Sequence, residues 1–208
     1  MKLFTLLKSY LSIKKASSTP IFEESPDQKA SIYWKFDETN PFIPNLEKEQ
    51  FESLTGMDFG WYVLEPLSLY VDHSKYEEER CVRFNYAQKF IYFWWYLDAQ
   101  VSNGGFVQFF INGYGKYLDP IKRGLMHIGA TEQYQLLVLA ERYFKKNDES
   151  ALKEIKVDEQ YQFLVDQEIL TPFCAKYLEI GRGALDFFKE YALKHPDELA
   201  SFKTETAK

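Results

Sequence analysis

Three histidines, two cysteines and 31 carboxylates are the side chains from which this sequence could build a metal centre or a catalytic set. A metal site needs several of them converging at ligand spacing, and His73, His127 and His195 read as isolated, with no HxxxH or CxxC run. No metal is expected. Gly181-Arg182-Gly183 opens like a dinucleotide loop, but the third glycine and the preceding strand are missing. No cofactor is expected either, and the small residues there suit close helix packing. Cys81 and Cys174 have no cationic or histidine neighbour in sequence, so both read as buried thiols in a reducing, cytoplasmic setting. With no GxSxG elbow and no Walker loop, the expectation is a protein that is not an enzyme.

Two groups of polar residues remain. Asn103, Gln108 and Asn112 lie among Phe106, Phe109, Phe110 and Ile111, where amides need internal partners. The expected role is to satisfy backbone groups at a tight helix junction; the sharper alternative is a small-ligand pocket or an uncharacterised enzyme site using Gln108 and Asn112. The second group is a row of acids at helical spacing: Glu154, Asp158 and Asp166 with Gln162 in step, and Asp186 with Glu190 further on. Like charges four residues apart oppose helix formation by a few tenths of a kcal/mol, so they mark either a solvated face or one that meets a basic partner.

The elements that would carry these groups are helical. Val82, Tyr86, Phe90, Phe93, Leu97 and Val101 recur at helical steps, and Phe84, Ala87, Ile91 and Trp94 form a second stripe. This predicts a central, mostly buried helix from near Tyr76, with Glu77, Glu78 and Glu79 in its first turn. Ser102-Asn103-Gly104-Gly105 forces a turn, with Ser102 or Asn103 as cap for a short helix from Phe106 to Ile111. Further helices are predicted after the Asp119-Pro120 cap, after a Thr131 cap, over about 149–169, and over 173–194 with Tyr177, Ile180, Ala184, Phe187, Phe188 and Tyr191 inward. Before them, Ile32 to Val71 reads as an irregular wrapping segment: Pro41, Pro44 and Pro66 interrupt it, while Trp34, Phe36, Phe42, Phe51, Phe59 and Trp61 anchor it. The fold class is thus all-α, a single compact multi-helix domain over 31–208.

Charge divides the chain. Residues 1–22 hold Lys2, Lys8, Lys14 and Lys15 and no carboxylate, a charge of +4, while the other 21 basic and 31 acidic residues give −10. Residues 1–30 are expected to be a basic leader, partly disordered or a short amphipathic helix, with Leu3, Phe4, Leu6, Leu7, Leu11 and Ile13 on its apolar face. A self-association or lipid-surface role for this leader is a further alternative. Lys8 interrupts any secretory core, and no apolar run reaches transmembrane length. An acidic body disfavours direct nucleic-acid binding. Aromatics, 18% of the chain, are expected in the core.

Asn103-Gly104-Gly105-Phe106, then Gln108-Phe109-Phe110 and Asn112, followed by Ile128-Gly129-Ala130, resemble the NGGFxQ[FY]xxN…IGA signature of a DNA-mimic-like bacterial family of otherwise unknown function. Ser102 stands where many members carry a second asparagine. The resemblance implies an all-helical fold, no known enzymatic activity, and an acidic surface that occupies the DNA-binding face of a transcription factor. It also implies, as an alternative, an immunity-type protein that neutralises a toxin. On that reading Asn103, Gly104, Gly105, Phe106, Gln108, Phe109 and Asn112 build the scaffold, and Glu154, Asp158, Asp166, Asp186 and Glu190 meet a basic protein partner. A duplex carries one charge per roughly 1.7 Å, so a domain about 40 Å wide faces about two dozen phosphates. A net −10 falls short of that unless the acids segregate on one face or a homodimer joins two such faces.

Overall fold

The computed structural model describes residues 33, 35–152, 159, 162 and 170–202. The chain runs through strand β1 (Asn45–Leu46), helices α1 (Lys48–Ser53), α2 (Gly56–Val71) and α3 (Glu77–Arg80), and the long helix α4 (Tyr86–Ile111). It continues through α5 (Leu118–His127), α6 (Thr131–Leu152), α7 (Thr171–Ile180), α8 (Ala184–Lys194) and α9 (Pro196–Leu199) to strand β2 (Ser201–Phe202). The fold is all-α around one aromatic-rich core, as the periodicity implies.

Helix α4 begins at Tyr86, ten residues later than its apolar stripe suggests. Asn85 caps it: the Asn85 side chain accepts from the Gln88 N–H at 2.9 Å, and the Gln88 side chain accepts from the Asn85 N–H at 3.0 Å. This reciprocal box satisfies two donors that a helix start otherwise leaves open. Glu77–Arg80 is therefore a separate short helix, and Phe84 between the two is extended. From Ala87 to Trp94 every residue of α4 is buried, with Phe90, Ile91 and Phe93 wholly so. Each such side chain contributes about 1.5–3 kcal/mol of transfer free energy. Helix α5 lies directly on this stretch: a Cβ at Gly124 would fall 2.2 Å from the Phe90 Cβ, so only glycine permits the approach.

The segment before α4 is more regular than its prolines imply. Pro66 lies inside α2, where it forfeits the bond to the Tyr62 carbonyl, yet Phe59, Val63, Leu64, Leu67 and Val71 bury one face and carry the helix through. Phe51 and Phe59 are buried anchors as expected; Trp61 is not, with 56% of its surface exposed. Residues 35–53 wrap the core with few backbone partners of their own, and side chains of the core supply donors. Gln88 reaches the Phe42 carbonyl at 2.8 Å, Arg83 the Asn40 carbonyl at 2.8 Å, Lys89 the Lys35 carbonyl, and Lys189 the Phe51 and Glu52 carbonyls at the end of α1. Strands β1 and β2 pair in parallel, Asn45 with Ser201 and Leu46 with Phe202, a closure the sequence pattern does not signal.

Three boundaries differ from expectation for local reasons. Helix α5 starts at Leu118, continuous with a 3₁₀ turn over Tyr114–Tyr117, and Asp119 pairs with Lys122 at 3.0 Å instead of capping. Thr131 is the first residue of α6, and its hydroxyl points back to the Gly129 carbonyl. The single helix expected over 173–194 is two, because Gly181–Gly183 forms a 3₁₀ turn that resets the register. In α8 the buried set is Ala184, Leu185, Phe188, Lys189 and Ala192, which leaves Phe187 41% exposed instead of inward.

Asn85→Ala should lower stability by about 1–2 kcal/mol in urea unfolding, and Asn85→Ser, which keeps an acceptor for the Gln88 N–H, should lose distinctly less. Equal losses would place the weight on the second bond of Asn85, its amide donating to the Glu198 carbonyl at 2.6 Å.

Candidate functional site

The Asn103–Asn112 segment is an elbow. Gly104 (φ −140°, ψ 22°) and Gly105 (φ 72°, ψ −174°) depart from helical angles and split α4 into two arms. The angles of Gly105 are open essentially to glycine alone. Helix α7 fills the bend: Cys174 packs on Gly105, and its sulfur accepts the Phe106 N–H at 3.3 Å. The open donor of the second arm thus goes to Cys174, not to Ser102 or Asn103 as cap. A Cβ at Gly105 would sit 2.8 Å from that sulfur. Next along α7, Tyr177 meets the Phe106 ring edge-on at 5.8 Å and donates to Asp98 on the first arm at 3.2 Å. Arg182 completes the clamp, its guanidinium 3.2 Å from the Asp98 carboxylate. Burial pushes the Tyr177 hydroxyl well above its usual range, and the Asp98 charge adds to the effect. Cys174, and Cys81 beside α3, are free thiols held high by burial, poor nucleophiles.

The three amides come together, but with one another and not with the backbone. Asn103 donates to the Gln108 carbonyl oxygen, and Gln108 and Asn112 both donate to the side-chain oxygen of Gln100, each at 2.9 Å. Gln100, absent from the motif reading, is the hub. The network lies at the surface, with Asn103 and Asn112 exposed, and it laces the two arms across the bend. Phe106 and Phe109 are fully buried beneath it. The seven motif residues are thus one unit whose visible work is to hold the elbow.

A second polar cluster was hidden in the aromatic pattern. Glu77, 2% exposed, accepts hydroxyls from Tyr92 at 3.3 Å, Tyr96 at 3.2 Å and Tyr117 at close range, while Tyr33 donates to Glu78. Lys116 lies over the Tyr117 ring at 4.8 Å and the Tyr33 ring at 5.6 Å. Burial first raises the hydroxyls of Tyr33 and Tyr92 far above normal, with the Glu77 charge next at Tyr33 and the neighbouring Tyr96 next at Tyr92; Tyr96 is pushed up to about 12. The signal available in sequence was an acid followed by tyrosines at 92 and 96, one turn apart on α4.

His195 is not isolated: its three-residue step to Glu198 places Nδ1 3.5 Å from that carboxylate. His127 lies 3.9 Å from Glu198 and shares a 2.7 Å bond with the Tyr191 hydroxyl, which itself donates to Glu198. Burial lowers the His127 pKa, so the neutral ring is favoured. This cluster fastens α9 against α5 and α8. Among the described residues no group of three or more His, Cys, Asp or Glu side chains is placed to hold a metal ion.

Of the acids read as a partner face, Asp186 and Glu190 lie one turn apart on α8, both exposed, with Lys194 3.8 Å from Glu190. Glu154, Asp158 and Asp166 lie outside the described residues; Gln162, in step with them, is helical and exposed. Other acids are withdrawn from the surface, Glu77 and Asp98 by burial and Glu141 by pairing with the buried Lys122 at 2.7 Å.

The described residues form an all-α body bent at an amide-laced glycine pair, with the exposed acids Asp186 and Glu190 on α8. Residues 83–195, more than half of the chain, match the DMP19-like protein family, and the chain belongs to it. That span starts just before the Asn85 cap and ends at His195, and so contains the whole elbow, α7 and α8. No curated protein and no solved structure matches the chain. No helix among the described residues is long and apolar enough to cross a membrane.

Gly105→Ala should cost about 1–3 kcal/mol through its positive φ, plus a steric part from Cys174. Placing Cys174→Ala in the same chain should recover that steric part, seen as a non-additive double-mutant cycle in urea unfolding. The tyrosines give a second test. A hydroxyl whose folded pKa is raised contributes stability that is complete below the unfolded value of 10.0 and is lost as pH rises toward the folded one. Tyr33, Tyr92, Tyr117 and Tyr177 should therefore ionise together with alkaline unfolding above pH 10, seen as tyrosinate absorbance tracking the loss of helix.

Proposed function

We propose that this chain is a non-enzymatic, acidic protein-binding module that occupies the basic face of a DNA-binding regulator. The observation that carries the reading is membership of the DMP19-like family over the segment that builds the elbow and α8. The chemistry agrees with it in kind. The chain beyond residue 22 has a net charge of −10, and Asp186 and Glu190 project from α8 on a rigid support. Charges fixed on a packed helix bind a basic surface without the ordering cost a flexible acidic tail would incur. The motif residues serve the scaffold, since Asn103, Gln108 and Asn112 spend amide donors on one another and on Gln100.

The magnitude argues for a local match over a long duplex mimic. Against about two dozen phosphates across a domain of this width, a body at −10 imitates a short stretch of DNA, and a homodimer would double it. Neutralisation of a toxin would use the same acids on a different basic partner, and cytoplasmic residence suits either.

The test is capture from native lysate by the full chain and by a charge-reversed variant, Glu154, Asp158, Asp166, Asp186 and Glu190 all→Lys. The full chain should retain a basic DNA-binding protein that salt releases between roughly 0.1 and 0.5 M and that duplex DNA displaces in competition. The variant should lose it while unfolding within about 1 kcal/mol of the parent. Undiminished capture by the variant, or a partner that DNA does not displace, contradicts the reading.

A further inference from the structure

Helix α2 turns Asp58, Trp61, Glu65 and Leu69 to solvent at steps of three, four and four, a single outward stripe. Trp61 is 56% and Leu69 74% exposed, large apolar surfaces for an exterior helix face. The helix carries no lysine or arginine, so its carboxylates are not neutralised along their own stripe. Trp61 leans edge-on against Trp95 at 5.3 Å, and the Trp95 indole N–H, shielded from solvent, finds no acceptor among the described residues. A surface of alternating acid and large apolar groups fits a basic amphipathic helix. It fits a second copy of itself poorly, because such a pair would gather four carboxylates at one interface with no cation on either helix.

The chain holds a segment of the matching chemistry. Residues 2–15 bring Leu3, Phe4, Leu6, Leu7, Leu11 and Ile13 together with Lys2, Lys8, Lys14 and Lys15, and no acid. As a helix they would span about 20 Å, comparable to the roughly 17 Å from Asp58 to Leu69. The tether suffices: the residues between Lys15 and Tyr33 can extend roughly 60 Å. The chain beyond Tyr33 already runs beside α2, with Phe42 stacked on Tyr70 at 4.0 Å and the Glu47 N–H donating to the Tyr62 hydroxyl at 2.7 Å. Both α2 and the leader lie outside residues 83–195, so the pairing is independent of the family segment and of the partner reading built on it.

We propose that residues 2–15 dock as an amphipathic helix on the outer stripe of α2 in the same chain, covering Trp61 and Leu69 and pairing lysines with Asp58 and Glu65. A tethered segment competes at high effective concentration, so the stripe is occupied without a partner.

Zero-length carbodiimide cross-linking of the full chain, followed by peptide mapping of the monomeric fraction, tests this. Lys2, Lys8, Lys14 or Lys15 should link to Asp58 or Glu65 several-fold more often than to the equally exposed Asp186, Glu190 or Asp197. Leu6, Leu7 and Leu11→Ser should abolish the preference while the thermal midpoint holds. Even spreading of links over all exposed acids, no links, links confined to a dimeric fraction, or a preference that survives the serine changes would each overturn the proposal.

Discussion

Helix α4 is buried on every side from Ala87 to Trp94, and that single constraint governs much of the rest. A helix surrounded in this way cannot turn polar side chains to water, so each one it carries must be matched from a neighbouring element. Gln88 and Lys89 are matched by carbonyls of the wrapping segment at Phe42 and Lys35, and Asp98 by Tyr177 and Arg182. Tyr92 and Tyr96 are matched by Glu77. The same bonds fix where residues 35–53, α3 and α7 lie. An irregular segment with few backbone bonds of its own is ordered because the core offers donors at the right heights.

The elbow follows from the same crowding. A straight α4 would carry its aromatic stripe past the end of the core; the bend at Gly104 and Gly105 folds the second arm back so that Phe106 and Phe109 are buried as fully as Phe90 and Phe93. Helix α7 can enter the bend because Gly105 has no side chain to meet Cys174. Buried and paired acids such as Glu77, Asp98 and Glu141 are consumed by the fold, while Asp186 and Glu190 stand exposed on α8, whose inner face is already committed.

Much of this was legible in the sequence because it rests on periodicity and on residues with one dominant use. The all-α class, the aromatic core, the glycine break and the thiol character of Cys81 and Cys174 come from such signals. What escaped depends on matches between distant positions. The stripe from Val82 to Val101 continues across Phe84, where the backbone is extended, and only the Asn85 and Gln88 pair marks the true start. Pro66 suggested interruption, yet burial of five apolar residues outweighs one lost hydrogen bond. The register of α8 depends on a 3₁₀ turn at Gly181–Gly183, which moves Phe187 outward. Gln100 and Glu77 were invisible as partners because their ligands are contributed by other turns and other helices. For the candidate site, the glycine break was readable, while the amide network centred on Gln100 and the exposure of Asp186 and Glu190 emerge only once the packing is known.

The proposed division of labour, a motif that holds the elbow and acids that meet a basic partner, is tested most directly by hydrogen–deuterium exchange of the full chain with and without a captured basic protein. Slowed exchange over 184–194, with amides of 103–112 unchanged, is the expected result. Slowed exchange centred on Asn103–Asn112, with 184–194 unaffected, would contradict it and make the elbow itself the binding site.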